Sequence, residues 1–216
     1  MKVVAIDGPA GSGKGTVSKR LAKECNLVYI DTGAMYRAIA YGALKNNIEV
    51  TDEEKIVDLA KNSKIEFKDE KIYLNDEDVT KEIRTMEVTR IVSPISSIVY
   101  LRKLLVKMQQ DMSKNADVIM EGRDITTVVL PNANYKFYLD ASVDERANRR
   151  YKENKEKGMD VSFDEIKENI IARDYNDMNK PIGSLMRTDD QIYIDSTNMT
   201  IDEVVEYMKK IIMEGN

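Results

Sequence analysis

A glycine-rich run near the start of the chain constrains the fold more than any other feature of the sequence. It lies between a β-rich segment, residues 2–7, and a helical pattern over residues 15–24. The run is Gly8-Pro9-Ala10-Gly11-Ser12-Gly13-Lys14-Gly15-Thr16. Glycines allow a tight turn whose N–H groups point inward, and the following helix adds partial positive charge at its N-terminus. This is the P-loop pattern in its expected context, so we predict that the run binds phosphate groups.

Three residues of the run refine this prediction. Lys14 is expected to reach the β- and γ-phosphates of a nucleotide. The usual pattern has Ser or Thr directly after the lysine as a Mg²⁺ contact, whereas here that position is Gly15 and the hydroxyl group is displaced to Thr16. The alternative is a glycine-rich turn that only connects a strand to a helix. The lysine and both flanking elements favour the phosphate-binding interpretation.

The composition argues against several classes of protein. At 216 residues the chain forms one large domain, or one domain with a smaller insertion. Its net charge of −5 argues against non-specific nucleic-acid binding. A single cysteine, Cys25, excludes an intramolecular disulfide, and the absence of histidine removes the commonest general base. No apolar run approaches the roughly 20 residues that span a bilayer, and the sequence MKVVAIDG turns polar too soon for a secretory signal, so we expect no membrane partner and a cytoplasmic location.

Five β-rich segments alternate with helical patterns along the chain. Each ends in an acidic residue, and they cover residues 2–7, 27–31, 118–121, 136–140 and 191–195. Capping-box pairs predict helix starts at Thr51 with Glu54, Ser142 with Glu145, Ser162 with Glu165 and Thr200 with Glu203. We therefore predict an α/β protein with the three-layer P-loop NTPase fold around a five-stranded parallel sheet, whose strands gather their terminal carboxylates at one edge.

Two segments interrupt the alternation. Residues 46–90 carry Ile65/Phe67 and Ile72/Leu74 on either side of a charged turn, which predicts a small antiparallel β-hairpin in an inserted subdomain. Residues 151–164 are charged, contain Gly158 and connect two helices, so they are either a solvated connection or a lid. We expect residues 1–216 to form a single domain with these two additions.

Further motifs extend the pattern beyond the P-loop. They are IDGPAGSGKGT, with the GKGT form of the loop, LVYIDTGAMYRA, EGRDITTVVLPNA and YLDASVDERANRR. With these motifs the chain resembles the bacterial cytidylate kinases, within the P-loop nucleoside monophosphate kinases, over nearly its whole length. The resemblance implies transfer of the γ-phosphate of ATP to CMP or dCMP with Mg²⁺ as cofactor, and it makes residues 46–90 a monophosphate-binding insert.

Several residues are candidates for contact with phosphate or metal. Arg37 lies one helical turn after Thr32 and has the fork geometry that binds phosphate oxygens. Glu121 and Arg123 follow a predicted strand, where an acid often holds the water shell of Mg²⁺, and Thr16 is the other possible metal contact through water. The resemblance implies that Arg37 and Arg123 bind the CMP phosphate. The alternatives are a surface arginine after a capping Thr32, and an ion-paired turn at Arg123.

Recognition of the base is implied by the resemblance alone. It assigns the cytosine ring to Asp124 and Arg102, with assistance from Ser93. A carboxylate and a guanidinium match the 4-amino donor and the N3 and O2 acceptors of cytosine, and they mismatch uracil. The pattern alone makes Arg102 a solvated residue of a helix over residues 95–113, and Ser93 an N-cap before Pro94.

The donor side is expected to use a pair of arginines. Arg146 and Arg150 are four residues apart on a predicted helix, residues 143–154, and project from one face. The resemblance implies that the first stacks on adenine and that the second reaches the donor phosphates. The alternative is a basic helix surface paired with neighbouring acids.

Residues near the end of the predicted helix 163–178 complete the candidate site. The resemblance places Arg173 near the transferring phosphate and Asp177 at the ribose hydroxyl groups of CMP, whereas the pattern alone gives a helix ion pair. Lys180 stands where the family usually has a phosphate-binding arginine. Arg187 is an alternative source of a guanidinium if the loop between them folds back.

Together these features predict an enzyme that works by positioning and charge, without a general base. The expected catalytic residues are Lys14, Arg123, Arg150 and Arg173. ATP contacts are expected from residues 8–16, Arg146 and Arg150, and CMP contacts from Thr32, Arg37, Ser93, Arg102, Arg123, Asp124, Arg173, Asp177 and Lys180. The expected partners are ATP and CMP or dCMP, with the chain acting as a monomer and binding no nucleic acid. The alternatives are another acceptor such as UMP or AMP, or a non-catalytic nucleotide-binding switch.

Overall fold

The structure is a computed structural model that describes residues 1–68, 70–156 and 158–215. Asp69, in the predicted hairpin turn, and Lys157, in the predicted lid, lie outside the described residues. The chain divides into two compact units. The P-loop unit comprises Met1–Val28 and Ala116–Asn216, and the second unit comprises Tyr29–Asn115.

A five-stranded parallel sheet confirms the predicted α/β class. With strands numbered in chain order, it contains β1 (Val3–Asp7), β2 (Val28–Asp31), β6 (Val118–Gly122), β7 (Tyr135–Asp140) and β8 (Ile192–Asp195). Their order is β2-β6-β1-β7-β8, so β1 is central and pairs in parallel with β6 and β7. Every predicted strand agrees with its observed bounds to within one residue. Because all strands run the same way, β1, β6, β7 and β8 carry their acidic ends to one edge of the sheet.

Four helices accompany these strands in the described part of the P-loop unit. They are α1 (Lys14–Cys25), α6 (Val143–Glu156), α7 (Phe163–Met178) and α8 (Ile201–Glu214). Helix α1 packs on α8 and on β6, and α6 packs along α7. A short π-helical segment, Ile125–Val129, follows β6.

The second unit has its own small sheet and core. Its helices are α2 (Thr32–Lys45), α3 (Glu53–Lys61), α4 (Met86–Ile95) and α5 (Val99–Met112), with a 3₁₀ turn at Glu82–Arg84. The predicted hairpin is confirmed as β3 (Ile65–Lys68) and β4 (Lys71–Leu74), which pair antiparallel. A two-residue strand, β5 (Glu77–Asp78), extends this sheet and was not predicted. Side chains such as Met35, Ile39, Ile56, Leu101 and Leu105 are fully buried in the core of this unit.

The prediction for residues 95–113 was wrong about where the helix begins. The predicted helix corresponds to α5, which begins at Val99, whereas Ile95 is the last residue of α4 and Ser96–Ile98 separate the two helices. The hydroxyl groups of Ser96 and Ser97 donate to the carbonyl oxygen of Ser93 at 2.8 and 3.2 Å, which satisfies an acceptor at the end of α4. Ser93 therefore lies inside a helix, and the N-cap interpretation is wrong because Thr85 caps α4.

The four predicted capping boxes have different outcomes. Those at Ser162 and Thr200 are confirmed with both reciprocal hydrogen bonds. At Ser142 only one half forms, because the N–H of Ser142 donates to Thr197 Oγ1 at 2.9 Å and the Glu145 carboxylate accepts from Arg149. The Thr51 prediction was wrong by one residue, since the Asp52 carboxylate accepts from the N–H of Lys55. The sequence offers two adjacent capping residues there, and aspartate caps at least as well as threonine.

Candidate functional site

The P-loop leaves the carboxyl end of β1 and enters α1. Gly8 has a φ of 152°, and a Cβ atom there would lie 2.0 Å from the carbonyl oxygen of Leu139. Only glycine fits this position, because any side chain would collide with the backbone of β7. Gly13, at φ 90°, is the left-handed N-cap of α1. The two glycines thus hold the loop tightly between the central strand and its helix.

Lys14 is buried at the first position of α1. Its Nζ atom donates to the carbonyl oxygen of Pro9 at 2.8 Å and to the hydroxyl of Ser12 at 3.3 Å. The pKa of the Lys14 ammonium is lowered to about 7, chiefly by burial and then by the charge of Arg123, while the charge of Glu121 opposes both. A multiply charged anion in the loop would restore the charged form, because opposite charge favours ionisation.

A buried network at Asp7 was missed by sequence reasoning. The Asp7 carboxylate is fully buried and accepts from the N–H of Ile125 at 2.7 Å, the N–H of Thr126 at 2.9 Å and the Thr126 hydroxyl at 2.6 Å. Gln191 donates in turn to that hydroxyl at 2.5 Å. Burial raises the pKa of Asp7, and the hydrogen bonds from Thr126 oppose the rise. The network ties the strand that begins the P-loop to the segment after Arg123. The signal in the sequence was the acidic strand end.

A cluster of cationic groups surrounds the Asp177 carboxylate. Arg123 Nε donates to Asp177 Oδ2 at 2.7 Å, and Lys180 Nζ donates to Oδ1 at 2.9 Å. Arg173 is more distant, with Nε 4.0 Å from Oδ2. Burial alone would raise the pKa of Asp177, but the charges of Arg123 and Lys180 overcome it and hold that pKa well below its usual range. The structure thus brings together four of the predicted acceptor residues.

The P-loop is also held by two arginines of α6. Arg146 is buried, and its Nη1 atom donates to the carbonyl oxygen of Ala10 at 2.9 Å and to Asp174 at 2.6 Å. Arg149 donates to the carbonyl oxygen of Ser12 at 3.3 Å. The alternative that Arg146 belongs to a solvated basic surface is wrong, because its guanidinium is enclosed by protein acceptors. Sequence reasoning missed the contacts of Arg149 and Asp174, although both lie beside residues that it named.

The other predicted donor-side and metal residues are more open. Arg150 is exposed and pairs with Glu153 at 3.3 Å, so it does not share the buried face of Arg146. Thr16 is exposed in the first turn of α1, and Glu121 is half-buried at the end of β6. Within the described residues no group of three or more His, Cys, Asp or Glu side chains is arranged to hold a metal ion.

Arg187 lies apart from the Asp177 cluster. Its guanidinium stacks over the ring of Tyr193, 4.2 Å from the centroid. The loop before it does fold back, since the N–H of Leu185 donates to the carbonyl oxygen of Asp177 at 2.8 Å. Lys180, by contrast, reaches the Asp177 side chain at 2.9 Å.

In the second unit, the start of α2 differs from the prediction. Asp31 is the N-cap and accepts from the N–H of Ala34, while Thr32 is the first helical residue and is buried. Arg37 donates to Thr89 Oγ1 at 2.9 Å and to the carbonyl oxygen of Ile83 at 3.3 Å. These contacts hold Arg37 against the 3₁₀ turn and the first half of α4, and they orient its guanidinium.

The remaining candidates of the second unit lie at the junction of α4 and α5. Arg102 is buried, donates to the carbonyl oxygen of Ser96 at 3.1 Å and lies over the ring of Tyr36 at 5.6 Å. The solvated-helix alternative for Arg102 is therefore wrong. Ser93 is half-buried in the last turns of α4, and its carbonyl oxygen accepts the hydroxyl groups at that junction.

No helix in the described residues has both the length and the apolar character needed to cross a bilayer.

Comparison with known proteins identifies the family. A family model described as cytidylate kinase matches residues 4–214. A cytidylate kinase of Alkaliphilus oremlandii is 49% identical over 94% of this chain and 94% of its own length. One from Clostridioides difficile is 48% identical, with the same 94% coverage of both chains. One from Leuconostoc mesenteroides is 49% identical over 97% of this chain and 95% of its own length.

Solved structures agree on the fold. A shikimate kinase from Bacteroides thetaiotaomicron superposes with a TM-score of 0.51 at 12% identity, covering 98% of each chain. An uncharacterized protein from Eubacterium ventriosum gives a TM-score of 0.55 at 12% identity, covering 99% of each chain. At this identity the likeness concerns the fold alone. The family match and the relatives at nearly half identity go further, and by them this chain belongs to the cytidylate kinase family.

Proposed function

We propose that this protein transfers the γ-phosphate of ATP to CMP or dCMP, giving ADP and CDP or dCDP. Family membership over residues 4–214 carries the proposal, because it supplies the nature of the acceptor. The geometry supports it through a glycine-built phosphate loop with a buried Lys14 in the same unit as the Arg123, Arg173 and Lys180 cluster.

The reaction needs no proton-abstracting side chain. The second pKa of a phosphate monoester is about 6, so CMP presents an ionised oxygen at neutral pH. The protein then has to bring two anions together and to stabilise the charge on the phosphoryl group as it moves. We assign this task to Lys14, Arg123, Arg150 and Arg173, with residues 8–16 around the ATP phosphates.

Mg²⁺ fits the residues present. A kinase holds this ion mostly through nucleotide phosphates and water, so a full cage of protein ligands is not required. The exposed hydroxyl of Thr16 and the half-buried carboxylate of Glu121 are oxygen ligands suited to hold its water shell. When bound with ATP, the ion would neutralise phosphate charge.

On the acceptor side, each proposed contact has a chemical reason. Arg37 and Arg123 would bind the CMP phosphate, and Asp177 would accept from the ribose hydroxyl groups. Lys180 keeps the charge of the usual arginine but not its bidentate fork. Thr32, Ser93, Arg102 and Asp124 are the remaining proposed contacts, with Asp124 and Arg102 reading the cytosine edge. On the donor side, Arg146 and Arg150 complete the proposed contacts.

We also propose a domain organisation, an oligomeric state and a cellular location. Residues 1–216 would act as one kinase domain, with residues 46–90 as the monophosphate-binding insert and 151–164 as a lid that excludes water during transfer. We propose a monomer that binds no nucleic acid. The free thiol of Cys25 suits the reducing conditions of the cytoplasm.

A coupled assay across nucleoside monophosphates tests the proposal. With Mg·ATP as donor we expect turnover of CMP and dCMP, with UMP at least about tenfold slower in kcat/KM because buried groups that match cytosine stay unpaired. Lys14→Met is the matched inactive variant. Equal rates for CMP and UMP would remove the base assignment. Turnover of AMP but not CMP would make AMP the acceptor. If no nucleoside monophosphate is phosphorylated, a nucleotide-binding switch would be favoured.

A further inference from the structure

Two buried side chains hold the main chain of the P-loop in place, and their role in ATP binding rests on the proposed function. A loop whose N–H groups point toward a phosphate turns carbonyl groups outward, and a buried carbonyl needs a donor. At Ala10 both polar groups of the main chain are held by side chains. The carbonyl oxygen accepts from Arg146 Nη1 at 2.9 Å, and the N–H donates to Asp174 Oδ1 at 3.3 Å.

The two side chains that hold Ala10 also bind each other. Arg146 Nη1 lies 2.6 Å from Asp174 Oδ2, and the side chains are only 5% and 11% exposed. Arg146 Nε donates in addition to the carbonyl oxygen of Ala141 at 2.9 Å. The result is a closed ring of hydrogen bonds, Ala10 to Arg146 to Asp174 and back to Ala10, which we call the Ala10 clasp. Removal of either partner would leave a buried charge and an unsatisfied peptide group.

The clasp lies far from the segment that joins α6 and α7. Arg146 lies ten residues before the end of α6 and Asp174 lies eleven residues after the start of α7. At 1.5 Å per residue, each is about 15 Å from the segment that joins the two helices. The clasp therefore fastens the bases of both helices that frame the proposed lid, and it fastens them to the P-loop.

The backbone next to the clasp leaves little room for adjustment. Gly11 has a φ of 79°, and a Cβ atom there would lie 3.3 Å from Arg146 Cβ and 3.5 Å from the Arg146 carbonyl oxygen. The main chain of the loop thus runs directly against α6. A shift of the Ala10 peptide would change the direction of the amide groups that follow it.

We propose that Arg146 and Asp174 are positioning residues that hold the P-loop ready for the triphosphate of ATP. Arg146 acts through the carbonyl group of Ala10, to which its buried guanidinium donates at 2.9 Å. Asp174 fixes the direction of Arg146 and holds the Ala10 N–H. The clasp should affect binding of the donor much more than binding of the acceptor.

The test measures binding of each substrate separately in the full-length enzyme. The variants are Asp174→Ala and Asp174→Asn, and the probes are the Mg²⁺ complex of a non-hydrolysable ATP analogue and CMP alone, each by titration calorimetry. We expect the Kd of the ATP analogue to rise at least about tenfold in Asp174→Ala, about 1.4 kcal/mol. The Kd of the ATP analogue for Asp174→Asn should lie between the values for Asp174→Ala and the parent, because the amide keeps one acceptor oxygen. The Kd of CMP should change much less than that of the ATP analogue, because Asp174 acts on the proposed CMP residue Arg123 only through its charge.

The matched control is an exposed ion pair between the same two helices. Lys167 Nζ lies 2.6 Å from Asp144 Oδ1, with side chains 38% and 66% exposed. Asp144→Asn should change neither Kd, because its pair is solvated and touches no P-loop atom. A double-mutant cycle with Arg146→Ala should be non-additive, since either single change breaks the same ring.

Two results would contradict a role for the clasp in ATP binding. In the first, Asp174→Asn is folded and binds the ATP analogue as tightly as the parent. In the second, CMP binding weakens as much as ATP binding. Because the donor is measured without turnover, the clasp and the proposed acceptor are judged independently. If the protein binds the analogue through the clasp but does not bind CMP, the role of the clasp stands and the proposed function is wrong.

Discussion

Lys14 is a charged side chain of the P-loop that has almost no contact with solvent. It is 4% exposed, and burial lowers its pKa from 10.5 to about 7. Between these two values the unfolded chain binds more protons than the folded one, so stability rises with pH across that window. Below it both states are charged, and the folded protein bears the full cost of the buried ammonium.

Lys14→Met should therefore stabilise the nucleotide-free protein at pH 6 and 7, with a gain that shrinks as pH rises toward 10. The same change should lower CDP formation at least about a hundredfold, because it removes a charge that stabilises the transferring phosphoryl group. Urea unfolding at pH 6, 7.5 and 9 measures the first effect, and a coupled assay the second. A gain that grows with pH would contradict the sign of the pKa shift.

Asp124 offers a second test at the scale of single residues. Asparagine can donate from its amide to the O4 atom of uracil, whereas aspartate can only accept. Asp124→Asn should lower kcat/KM for CMP by about tenfold to a hundredfold and raise the UMP to CMP ratio. Kinetics with both substrates measure the ratio, and Asp144→Asn is the control. An unchanged ratio would assign base recognition elsewhere.

At the scale of elements, α6 and α7 are long helices whose facing ends border residues 157–162. Helix α6 continues to Glu156, so the first part of the predicted lid is helical. Gly158, at φ 71°, follows it, and the N–H of Met159 donates to the carbonyl oxygen of Asn154 at 2.9 Å, a common arrangement at a helix end. The segment proposed as a lid, residues 151–164, thus includes the end of α6 up to Glu156 and the start of α7 from Phe163.

Deletion of residues 152–160 should lower phosphotransfer far more than CMP binding. Without the lid, water enters the site and the donor contacts near Arg150 are lost, so we expect kcat to fall about a hundredfold. The Kd of CMP should remain within about threefold, because the proposed CMP contacts lie outside the deletion. Single-turnover transfer and CMP titration separate the two effects. Unchanged turnover would remove the lid role.

The capping box of α7 gives a prediction about stability. Ser162→Ala removes a hydroxyl that accepts from the N–H of Glu165 at 3.1 Å, and it should cost about 1 kcal/mol of unfolding free energy. Thr200→Ala, in the equivalent box of α8, should cost about the same. Denaturant unfolding measures both. A loss of more than about 3 kcal/mol in either would show a role beyond capping.

At the scale of the whole molecule, the acidic net charge and the cationic site are compatible. The chain carries −5 overall, yet Arg123, Arg173 and Lys180 gather around one carboxylate in the P-loop unit. Anionic substrates respond to this local field, and salt screens it. The KM for CMP should therefore rise about threefold to tenfold between low and high NaCl concentration. Inhibition by uncharged cytidine is the control and should change little; a parallel change in both would contradict a role for charge.

Much of the secondary structure of this protein could be predicted from its sequence. The strand limits, the hairpin and the limits of α7 follow from local patterns, because each depends on residues within a few positions of one another. The glycine run is equally local, since a phosphate loop needs small residues in consecutive positions. Two errors were also local. Two adjacent capping residues, Thr51 and Asp52, competed at the start of α3, and the Ser93-Pro94 pair suggested a helix start although α4 continues through it to Ile95.

Tertiary structure decided which polar side chains meet. Asp174 contacts Ala10 across 164 positions of sequence, and Asp7 contacts Thr126 across 119. Arg146 has the sequence environment of a surface residue and becomes buried only because α6 packs along α7 against the loop. A short pattern specifies local backbone geometry, whereas the pairing of distant charges depends on how the helices pack against the sheet.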